Sequence, residues 1–483
     1  MKVQYDKSLK IAGVSIQPWA RIGPEQWFDN YKIASLAGWN MRSQNVEYMN
    51  TLAYVRDQCE KPYADELTTQ ALLQDPIFQD MIITHLPEYH IFTYKPFVIP
   101  ERLKQSSLQF LPSNDMYALA QKFENKSWFR RIFAERLCNI PSHKIYPWRE
   151  MLSDEEYFSN LCDGRSKIVL QDAALGGGKG SFIVDSFDSF CSAINTMQNS
   201  NGLVGEVVVS DYIADGRDWS VQGVVTRYGV FIGPVQRQII ADPNLSNTSI
   251  PGTEKFCGIE VLADDQHTWQ SSQLTKNARV IGQELYDRGY RGIFGVDSLV
   301  TDDAVYTIEV NARITGATPL LTMSYNAKKH IPFYLLHILE LTNSDYTIED
   351  SSYSNDYNDC ALMVLHQRDS ETGVADSPRS GLYNEKMQII DDIMSFDRSS
   401  SAKQIFVQDY TRSERSIAQG SRLASIFTNF RVMDEEGVLM RESRNIIDII
   451  ENSDNCCFFL FAIGPPYFLI IQTTKRKSRA LPL

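Results

Sequence analysis

The chain has 483 residues, a length typical of about three domains rather than one compact core. Hydrophobic residues make up 43% and charged residues 22%, which excludes a wholly disordered or fibrous protein. The formal net charge of −13 argues against general nucleic-acid binding, because a negative surface repels phosphate groups. The basic run at 475–479 is interpreted as a solvated terminus.

Cysteine usage and the two ends of the chain indicate the compartment. The eight cysteines are scattered, with no Cys-x-x-Cys motif and no histidine at zinc spacing, so reduced thiols are expected. Residues 1–7 lack the apolar run of a secretory signal, which favours a cytoplasmic protein. The apolar stretch 456–471 is shorter than the roughly 20 residues of a spanning helix. Two short strands around its Gly-Pro turn are predicted there, and no membrane association is expected.

Residues 1–110 predict a small N-terminal α/β domain. Short apolar runs at 11–16, 91–92 and 97–100 alternate with polar sequence that is compatible with helices. Gly13 and Gly23 lie near strand ends but form no G-x-G-x-x-G motif. A dinucleotide-binding fold is therefore not supported.

The middle of the chain predicts a two-lobed core over residues 111–340, with lobes at about 111–205 and 206–340. One helical stretch is expected from Ser113 through Lys126 to Asn139. Strands are predicted at 167–171, 181–184, 206–210, 220–225, 230–232, 292–300 and 305–310, with a helix at 271–288. The polar segment 341–360 is predicted to be a linker, followed by a mixed α+β domain at 361–483.

A glycine-rich loop joins the predicted strands 167–171 and 181–184. Backbone N–H groups without Cβ atoms beside them suit the binding of phosphate. The loop is not a P-loop, because that motif needs glycine at Ala173, serine or threonine at Gly180 and a helix afterwards. Taken alone, it is explained equally well as a flexible hairpin tip. The loop consists of Gly176, Gly177, Gly178, Lys179 and Gly180.

The last predicted strand pair carries polar residues in an informative order. Along a strand the side chains alternate, so Glu309, Asn311 and Arg313 share one face while Ile308 and Val310 pack into the other. Asp297 on the neighbouring strand can reach the same face. Two carboxylates and an amide oxygen are suited to Mg²⁺, and the Arg313 guanidinium can hold a phosphate oxygen beside it. The alternative is a solvated polar face of an edge strand.

With these motifs in order, the stretch from Lys126 to Pro319 resembles the ATP-grasp superfamily, specifically its carboxylate–amine, peptide-forming ligases. The resemblance implies an ATP-grasp fold flanked by an N-terminal α/β and a C-terminal α+β domain. It implies that Asp297, Glu309 and Asn311 bind one or two Mg²⁺ ions, with Mn²⁺ as an alternative, and that Arg313 contacts the transferred phosphate. Lys126 and the glycine-rich loop would contact the ATP phosphates. The adenine-contacting strand end would be Ser210, Asp211, Tyr212 and Ile213, with Asp218 on the ribose.

Two positions near the resemblance carry separate expectations. Gln171 stands where the family usually has a second ATP-binding lysine, so a charged contact is replaced by a hydrogen-bonding one. Arg237, with Lys255, is a candidate for binding the substrate carboxylate, the alternative being an ion pair with surface acids.

The function implied is ATP-dependent activation of a carboxylate as an acyl phosphate, which then joins to an amine. That chemistry needs positioning and charge neutralisation and no enzyme nucleophile. A small-molecule kinase on the same fold and a degenerate ATP-binding regulatory module are the alternatives. Biotin-dependent carboxylation fits less well, because the chain has no Met-Lys-Met carrier motif. The acid, the amine and a homodimeric state are left open.

Overall fold

The computed structural model of the protein describes fifteen ranges of the chain, and the fold is given for these residues. They are 1–15, 21–35, 46–50, 69–93, 98–137, 139–151, 154–175, 180–201, 205–247, 256–350, 357–368, 380–391, 402–409, 419–420 and 422–451. Residues 176–179 of the glycine-rich loop, Lys255, the apolar stretch 456–471 and the basic run 475–479 lie outside them.

The N-terminal part contains a five-stranded parallel sheet, as the predicted α/β unit requires. Its strands follow the spatial order β4-β3-β2-β5-β6. Ile11, Val14, Ile33 and Ile91 are fully buried, because a parallel sheet is covered on both faces. The elements of this part are β1 (Lys2–Tyr5), β2 (Lys10–Ser15), β3 (Asn30–Ser35), β4 (Val46–Asn50), α1 (Thr69–Gln74), α2 (Pro76–His85), β5 (His90–Phe92), α3 (Glu101–Lys104) and β6 (Gln109–Leu111), with a 3₁₀ turn at Pro24–Gln26.

Two helices follow where one was expected. They are α4 (Asn114–Glu124) and α5 (Lys126–Phe133). The prediction of one continuous helix was wrong, because Asn125 adopts an extended conformation and its side chain accepts a hydrogen bond from the Trp128 amide, as an N-cap does. The break makes Lys126 the first residue of a new helix.

A small lobe is built from a four-stranded antiparallel sheet in the order β7-β10-β8-β9. The predicted hairpin is confirmed, since β8 and β9 pair from Ile168 opposite Val184 to Gln171 opposite Ser181. Leu170, Val207 and Val209 point into the core of the lobe, to which both of its helices contribute buried residues. The elements are β7 (His143–Pro147), α6 (Glu155–Cys162), β8 (Ile168–Asp172), β9 (Ser181–Val184), α7 (Phe187–Asn201) and β10 (Glu206–Asp211).

The largest unit is a ten-stranded antiparallel sheet in the order β15-β14-β11-β12-β13-β17-β21-β20-β18-β19. One long helix, α8, covers one face of its first strands, and two shorter helices cover the other face. The first set of elements is β11 (Arg217–Thr226), β12 (Gly229–Ile240), β13 (Phe256–Val261), α8 (Trp269–Asp287), β14 (Gly292–Val300), β15 (Val305–Asn311), α9 (Thr318–Ala327) and α10 (Phe333–Leu341).

The remaining strands extend this same sheet. Strand β17 pairs with β13 where Gly258 has a φ of 144°, and a Cβ there would lie 1.9 Å from the carbonyl oxygen of Leu362. Only glycine allows that approach of the two backbones. The second set is β16 (Tyr346–Asp350), β17 (Cys360–His366), β18 (Gly381–Asn384), β19 (Ile389–Asp391), β20 (Gln404–Asp409), β21 (Arg422–Thr428) and α11 (Arg441–Glu451).

The segment predicted as a linker contains a strand. Residues 346–350 form β16, which pairs with β1 near the N-terminus. The division of the chain into domains stays a prediction. Of the helices that the structure describes, none is both long and apolar enough to cross a membrane.

Candidate functional site

The polar residues of β14 and β15 meet on one face of the large sheet. Asp297 lies directly opposite Glu309, and Gly295 lies opposite Asn311. Register shifts after Asp297, so that Ser298 pairs with Thr307 and leaves Ile308 as the extra residue of a β-bulge.

The bulge corrects the expected alternation. Thr307 accepts a hydrogen bond from Asn277 of α8 (3.0 Å), and Val310 packs into the core that α8 covers. Thr307 and Val310 therefore point away from the site, whereas the expected pair was Ile308 and Val310. The bulge reverses the alternation between Thr307 and Glu309, which turns Glu309 toward Asp297.

Asn311 is the centre of the hydrogen-bond network at this cluster. Its amide nitrogen donates to Asp297 Oδ2 at 2.8 Å and to Glu309 Oε1 at 3.2 Å. Its amide oxygen accepts from Arg313 Nη2 at 2.6 Å. Arg313 Nε also lies 2.9 Å from Glu124 Oε1 at the end of α4. The structure thus brings four predicted residues together: Asp297, Glu309, Asn311 and Arg313.

Lys126 approaches the same cluster from α5. Its ammonium group lies 3.4 Å from Glu309 Oε2 and donates to the carbonyl oxygen of Leu175 at 2.6 Å. The side chain is only 4% exposed, which makes its charge effective on the neighbouring carboxylate. The backbone N–H of Lys126 donates to Ala173 O at 2.9 Å, so the start of the helix is tied to the end of strand β8.

The two carboxylates titrate as a pair. Burial and the adjacent Glu309 charge hold the pKa of Asp297 well above its ordinary value. Burial also acts to raise the pKa of Glu309, but Lys126, the hydrogen bonds from Asp297 and Asn311, and Arg313 together lower it. A pair of close carboxylates accepts either a shared proton or a cation, so this donor set fits a divalent metal ion.

The donor chemistry favours a hard cation over zinc. No group of three or more His, Cys, Asp or Glu side chains that could hold a metal comes together among the residues described. Asp297, Glu309 and Asn311 supply two carboxylates and one amide, an oxygen set that leaves coordination positions for phosphate or water.

One wall of the cleft beside this cluster comes from the small lobe. Because Leu170, Val207 and Val209 fill the core of the lobe, the intervening residues face the cleft. They are Val169, Gln171, Val208 and Ser210, paired across β8 and β10. Val169 is partly exposed on this side, whereas Val208 is fully buried, and Ser210 is buried at the strand end, where the adenine contacts were expected.

The predicted hinge residues lie along the exit from β10. Asp211 forms an ion pair with Arg165 (2.6 Å), and its backbone N–H donates to Ser142 O. Tyr212 is exposed, with the Lys167 ammonium 5.5 Å from its ring centroid. Ile213 is half-buried, as is Asp218 at the start of β11.

The glycine-rich loop is described at Gly180 alone. Its carbonyl oxygen accepts from the Asp172 N–H at 2.8 Å, which closes the base of the hairpin. A Cβ at Gly180 would lie 2.7 Å from Leu175 Cβ, so the close base requires glycine.

Arg237 lies away from the cluster. It pairs with Trp219 across β11 and β12, on the face covered by α8, and donates to both oxygens of Asp265 at 2.7 Å. Its hydrogen bonds to Asp265 raise the pKa of Arg237. The ion-pair alternative describes this geometry, and the structure does not bring Arg237 to Asp297 or Arg313.

The next residue along β12 is one that sequence reasoning missed. Gln238 points to the opposite face and donates to Asp297 Oδ1 at 3.1 Å. Gln236, on the same face, is buried and lies 3.0 Å from the Ser220 hydroxyl. The alternation around Arg237 contained this signal, since its two glutamine neighbours must share the face that Arg237 does not occupy.

Comparison with known proteins bears on the fold. Residues 123–317 match the family model of the ATP-grasp domain. No curated protein sequence matches the chain.

Several solved structures resemble most of the chain. Biotin carboxylase from Campylobacter jejuni is 13% identical, with a TM-score of 0.54, over 88% of this chain and 89% of that one. N5-carboxyaminoimidazole synthase from Aspergillus clavatus, in complex with ADP and 5-aminoimidazole ribonucleotide, is 11% identical with a TM-score of 0.52. The match covers 92% of this chain and 99% of that one. Phosphoribosylamine–glycine ligase from Thermotoga maritima is 15% identical with a TM-score of 0.50, and the match covers 92% of this chain and 96% of that one. At such identities the likeness concerns the fold.

Proposed function

Because residues 123–317 of this chain form an ATP-grasp domain, we propose that the protein uses ATP to activate a carboxylate and joins it to an amine. ADP and phosphate would be released. The observation that carries this proposal is the cluster of Asp297, Glu309, Asn311 and Arg313 beside Lys126, on one face of the sheet.

Asp297, Glu309 and Asn311 are the proposed metal ligands. One or two Mg²⁺ ions, or Mn²⁺, would neutralise phosphate charge there. Without a cation the two carboxylates repel each other, and the surrounding donors compensate only in part. The opposed pair therefore supports a role that includes a bound cation.

The nucleotide would lie between the two sheets. Val169, partly exposed on the side of the lobe that faces the cluster, suits contact with the adenine ring, while the backbone from Ser210 to Ile213 suits the base edge. Asp218 is the proposed ribose contact. Lys126 and the loop at 176–180 are the proposed phosphate contacts, since an ammonium group and the backbone N–H groups of a glycine-rich sequence can both donate to phosphate oxygens.

Arg313 is the residue proposed to act on the transferred phosphate. Its guanidinium is held by Asn311 Oδ1 and lies beside Glu124, so its orientation is set before substrate arrives. A fixed guanidinium stabilises the negative charge that develops on the acyl phosphate. An amine that attacks the acyl carbon would displace phosphate without any enzyme nucleophile.

The substrate side of the cluster is polar and mostly uncharged. Gln222, buried, accepts hydrogen bonds from Thr315 (3.1 Å) and Thr318 (2.5 Å), and Gln236 and Gln238 extend this row on β12. Such a surface recognises substrate through hydrogen bonds. The similar synthase from Aspergillus clavatus binds 5-aminoimidazole ribonucleotide, and a similar biotin carboxylase domain from Hydrogenobacter thermophilus binds bicarbonate. Both compounds therefore belong among the substrates to be tested.

The decisive experiment measures ADP and phosphate release with Mg²⁺ and ATP across carboxylates and amines, singly and in pairs. The panel includes amino acids, bicarbonate and aminoimidazole ribonucleotide, and products are identified by mass spectrometry. Release that needs a pair and yields a condensed product supports the ligase and names its substrates. Release with one substrate and a stable phosphorylated product would replace the ligase by a kinase. ATP binding without release under any condition would indicate a binding module.

A further inference from the structure

A second cation from α5 lies behind the cleft, one helical turn beyond Lys126. Residues four positions apart share a face of a helix, so Arg130 points toward the same side as Lys126. Arg130 is 1% exposed, among the most buried large side chains described. Burial lowers its pKa to about 10, with the nearby Glu309 charge opposing that shift. Arg130 is therefore a permanent buried positive charge at neutral pH.

The hydrogen bonding of Arg130 is incomplete. Its Nη1 donates to the Thr307 carbonyl oxygen at 3.3 Å, and its Nη2 donates to Gln171 Oε1 at 3.5 Å. Both distances are long for a charged donor. Within the described part of the chain, its Nε atom is buried and finds no hydrogen-bond partner. Such a burial is unfavourable unless a negative group lies close by.

Gln171 connects this charge to the cleft. Its amide oxygen accepts from Arg130, while its amide nitrogen donates to the Ser181 hydroxyl at 3.1 Å. Gln171 lies on the cleft side of β8, shortly before the loop that begins after Leu175. Its Oε1 contact orients the amide so that its N–H groups point away from Arg130.

We propose that Arg130 and Gln171 act as one unit that contacts a phosphate of ATP. Arg130 supplies the positive charge from behind, and Gln171 presents an N–H group to a phosphate of ATP. This inference rests on the proposed function, because it assigns the pair to the nucleotide of the same site. Arg130 is thus a positioning residue that acts through Gln171, and it adds a charge that the glutamine alone lacks.

The test moves the positive charge from position 130 to position 171 and measures the affinity for nucleotide. Binding of Mg²⁺-ATP and Mg²⁺-ADP is measured by titration calorimetry on the full chain, with unfolding temperatures recorded for every variant. Arg130→Met should raise the Kd by about tenfold or more, as expected for loss of a charged hydrogen bond. Arg130→Met combined with Gln171→Lys should return the Kd close to the wild-type value. A lysine ammonium at position 171 then carries the positive charge that Arg130 supplied.

The matched control is Arg131→Met on the same helix. Arg131 is half-exposed and pairs with Glu206 across the lobe, so its loss removes an equal charge away from the cleft. Its Kd should stay near the wild-type value. If Arg130→Met binds nucleotide as tightly as the wild type, or if the relocated lysine restores nothing, the pair has no part in binding.

Two further outcomes keep this inference separate from the proposed function. Should Arg130→Met fail to fold, Gln171→Leu tests the same pair, and unchanged nucleotide affinity in that variant would overturn it. A wild-type chain that binds no nucleotide would overturn the ATP assignment itself. Wild-type binding with unaltered affinity in the variants would overturn only the Arg130–Gln171 unit.

Discussion

Charge at the candidate site is balanced residue by residue. Two acids lie opposite each other on β14 and β15, and each has a compensating neighbour: Asn311 donates to both, and Lys126 approaches Glu309. The balance is incomplete, since the pKa of Asp297 is still held high by burial and by Glu309. Removing the Glu309 charge should therefore weaken cation binding, while the relief of repulsion with Asp297 and the loss of the Lys126 ion pair act on stability in opposite directions.

Glu309→Gln is expected to lower turnover by at least ~100-fold, because a carboxylate that faces the proposed metal is lost. The unfolding temperature should stay the same or fall slightly, because the buried Lys126 ammonium loses its carboxylate partner while the repulsion with Asp297 is removed. ADP release and thermal unfolding measure the two effects. Glu88→Gln, an exposed change on the N-terminal unit, serves as the control. Near-normal turnover in Glu309→Gln would show that the metal assignment is wrong.

Arg237→Ala is expected to act on stability and not on catalysis. The change leaves Asp265, nearly buried, without its two hydrogen bonds from the guanidinium. Unfolding should become easier by roughly 1–3 kcal/mol. Turnover at saturating substrate and the KM for the carboxylate should stay near the wild-type values. A large rise in that KM at unchanged stability would instead assign Arg237 to substrate binding.

At the scale of single elements, the position of Lys126 depends on how α5 begins. The Asn125 side chain accepts from the Trp128 N–H (2.9 Å) and from the Ser127 hydroxyl (2.7 Å). The preceding helix ends at Glu124, whose carboxylate lies beside Arg313. The break between the two helices therefore sets both a proposed phosphate contact and the partner of the proposed catalytic arginine.

Asn125→Ala should destabilise the protein by about 1 kcal/mol through loss of the cap. It should also weaken binding of Mg²⁺-ATP, because Lys126 loses its fixed place at the helix start. Ser113→Ala is the comparison, since Ser113 also accepts a hydrogen bond as an N-cap but lies at the start of α4, at the other end of that helix from Glu124. Both variants should unfold more easily, and only Asn125→Ala should bind nucleotide less well. Equal nucleotide affinity in the two variants would show that the Asn125 cap does not position Lys126 for nucleotide binding.

Strong local patterns predicted the elements that carry the site. The hairpin of β8 and β9 and the pair β14 and β15 followed from apolar runs beside turn residues, and both are present. The break at Asn125 was missed because helix-compatible residues continue past it, and a single cap interaction decides the outcome. The bulge at Ile308 was missed because pairing register is a tertiary property that no alternation rule contains.

Contacts between residues far apart in the chain could not be predicted from local sequence patterns. Strand β16 forms because residues 2–5 offer it a partner more than 340 positions away. The orientation of Arg237 is decided by Asp265, which lies just before α8 in the folded chain. Arg130 carried no motif, and only its burial against Gln171 separates it from its exposed neighbour Arg131. Such features depend on packing, which single residues do not encode.

For the whole molecule, the N-terminal unit and the large sheet are joined through α9. The 3₁₀ turn at 24–26 packs there, with Asn326 donating to Gly23 O (3.0 Å) and accepting from the Trp27 indole (2.7 Å). Glu25 is buried at this junction and accepts from the Gly23 N–H at 2.5 Å. Burial raises the pKa of Glu25 to about 7. The junction therefore contains a carboxyl group that gains a proton more readily in the folded state.

Stability should decline as the pH rises through this window. Between the ordinary pKa of 4.5 and the folded value of about 7, the native chain binds more protons than the unfolded chain. Because the glutamine of Glu25→Gln cannot ionise, the free energy of unfolding of the wild type should fall by roughly 2.5 kcal/mol more than that of the variant between pH 5 and pH 8. Thermal and urea unfolding at both values measure the difference. A variant that differs from wild type equally at pH 5 and pH 8 would contradict this account.

The unbroken ten-stranded sheet also decides where the chain can be cut and recombined. The close contact of Gly258 with Leu362 lies where β13 pairs with β17. A chimaera divided between residues 340 and 360 would therefore leave β13 and β17 with unpaired edges, which promote aggregation. The passage from β10 to β11, at 212–216, connects two separate sheets without severing a ladder. Grafts that exchange the small lobe should therefore be spliced there and at the start of β7, so that each exchanged piece retains its own hydrogen-bonded sheet.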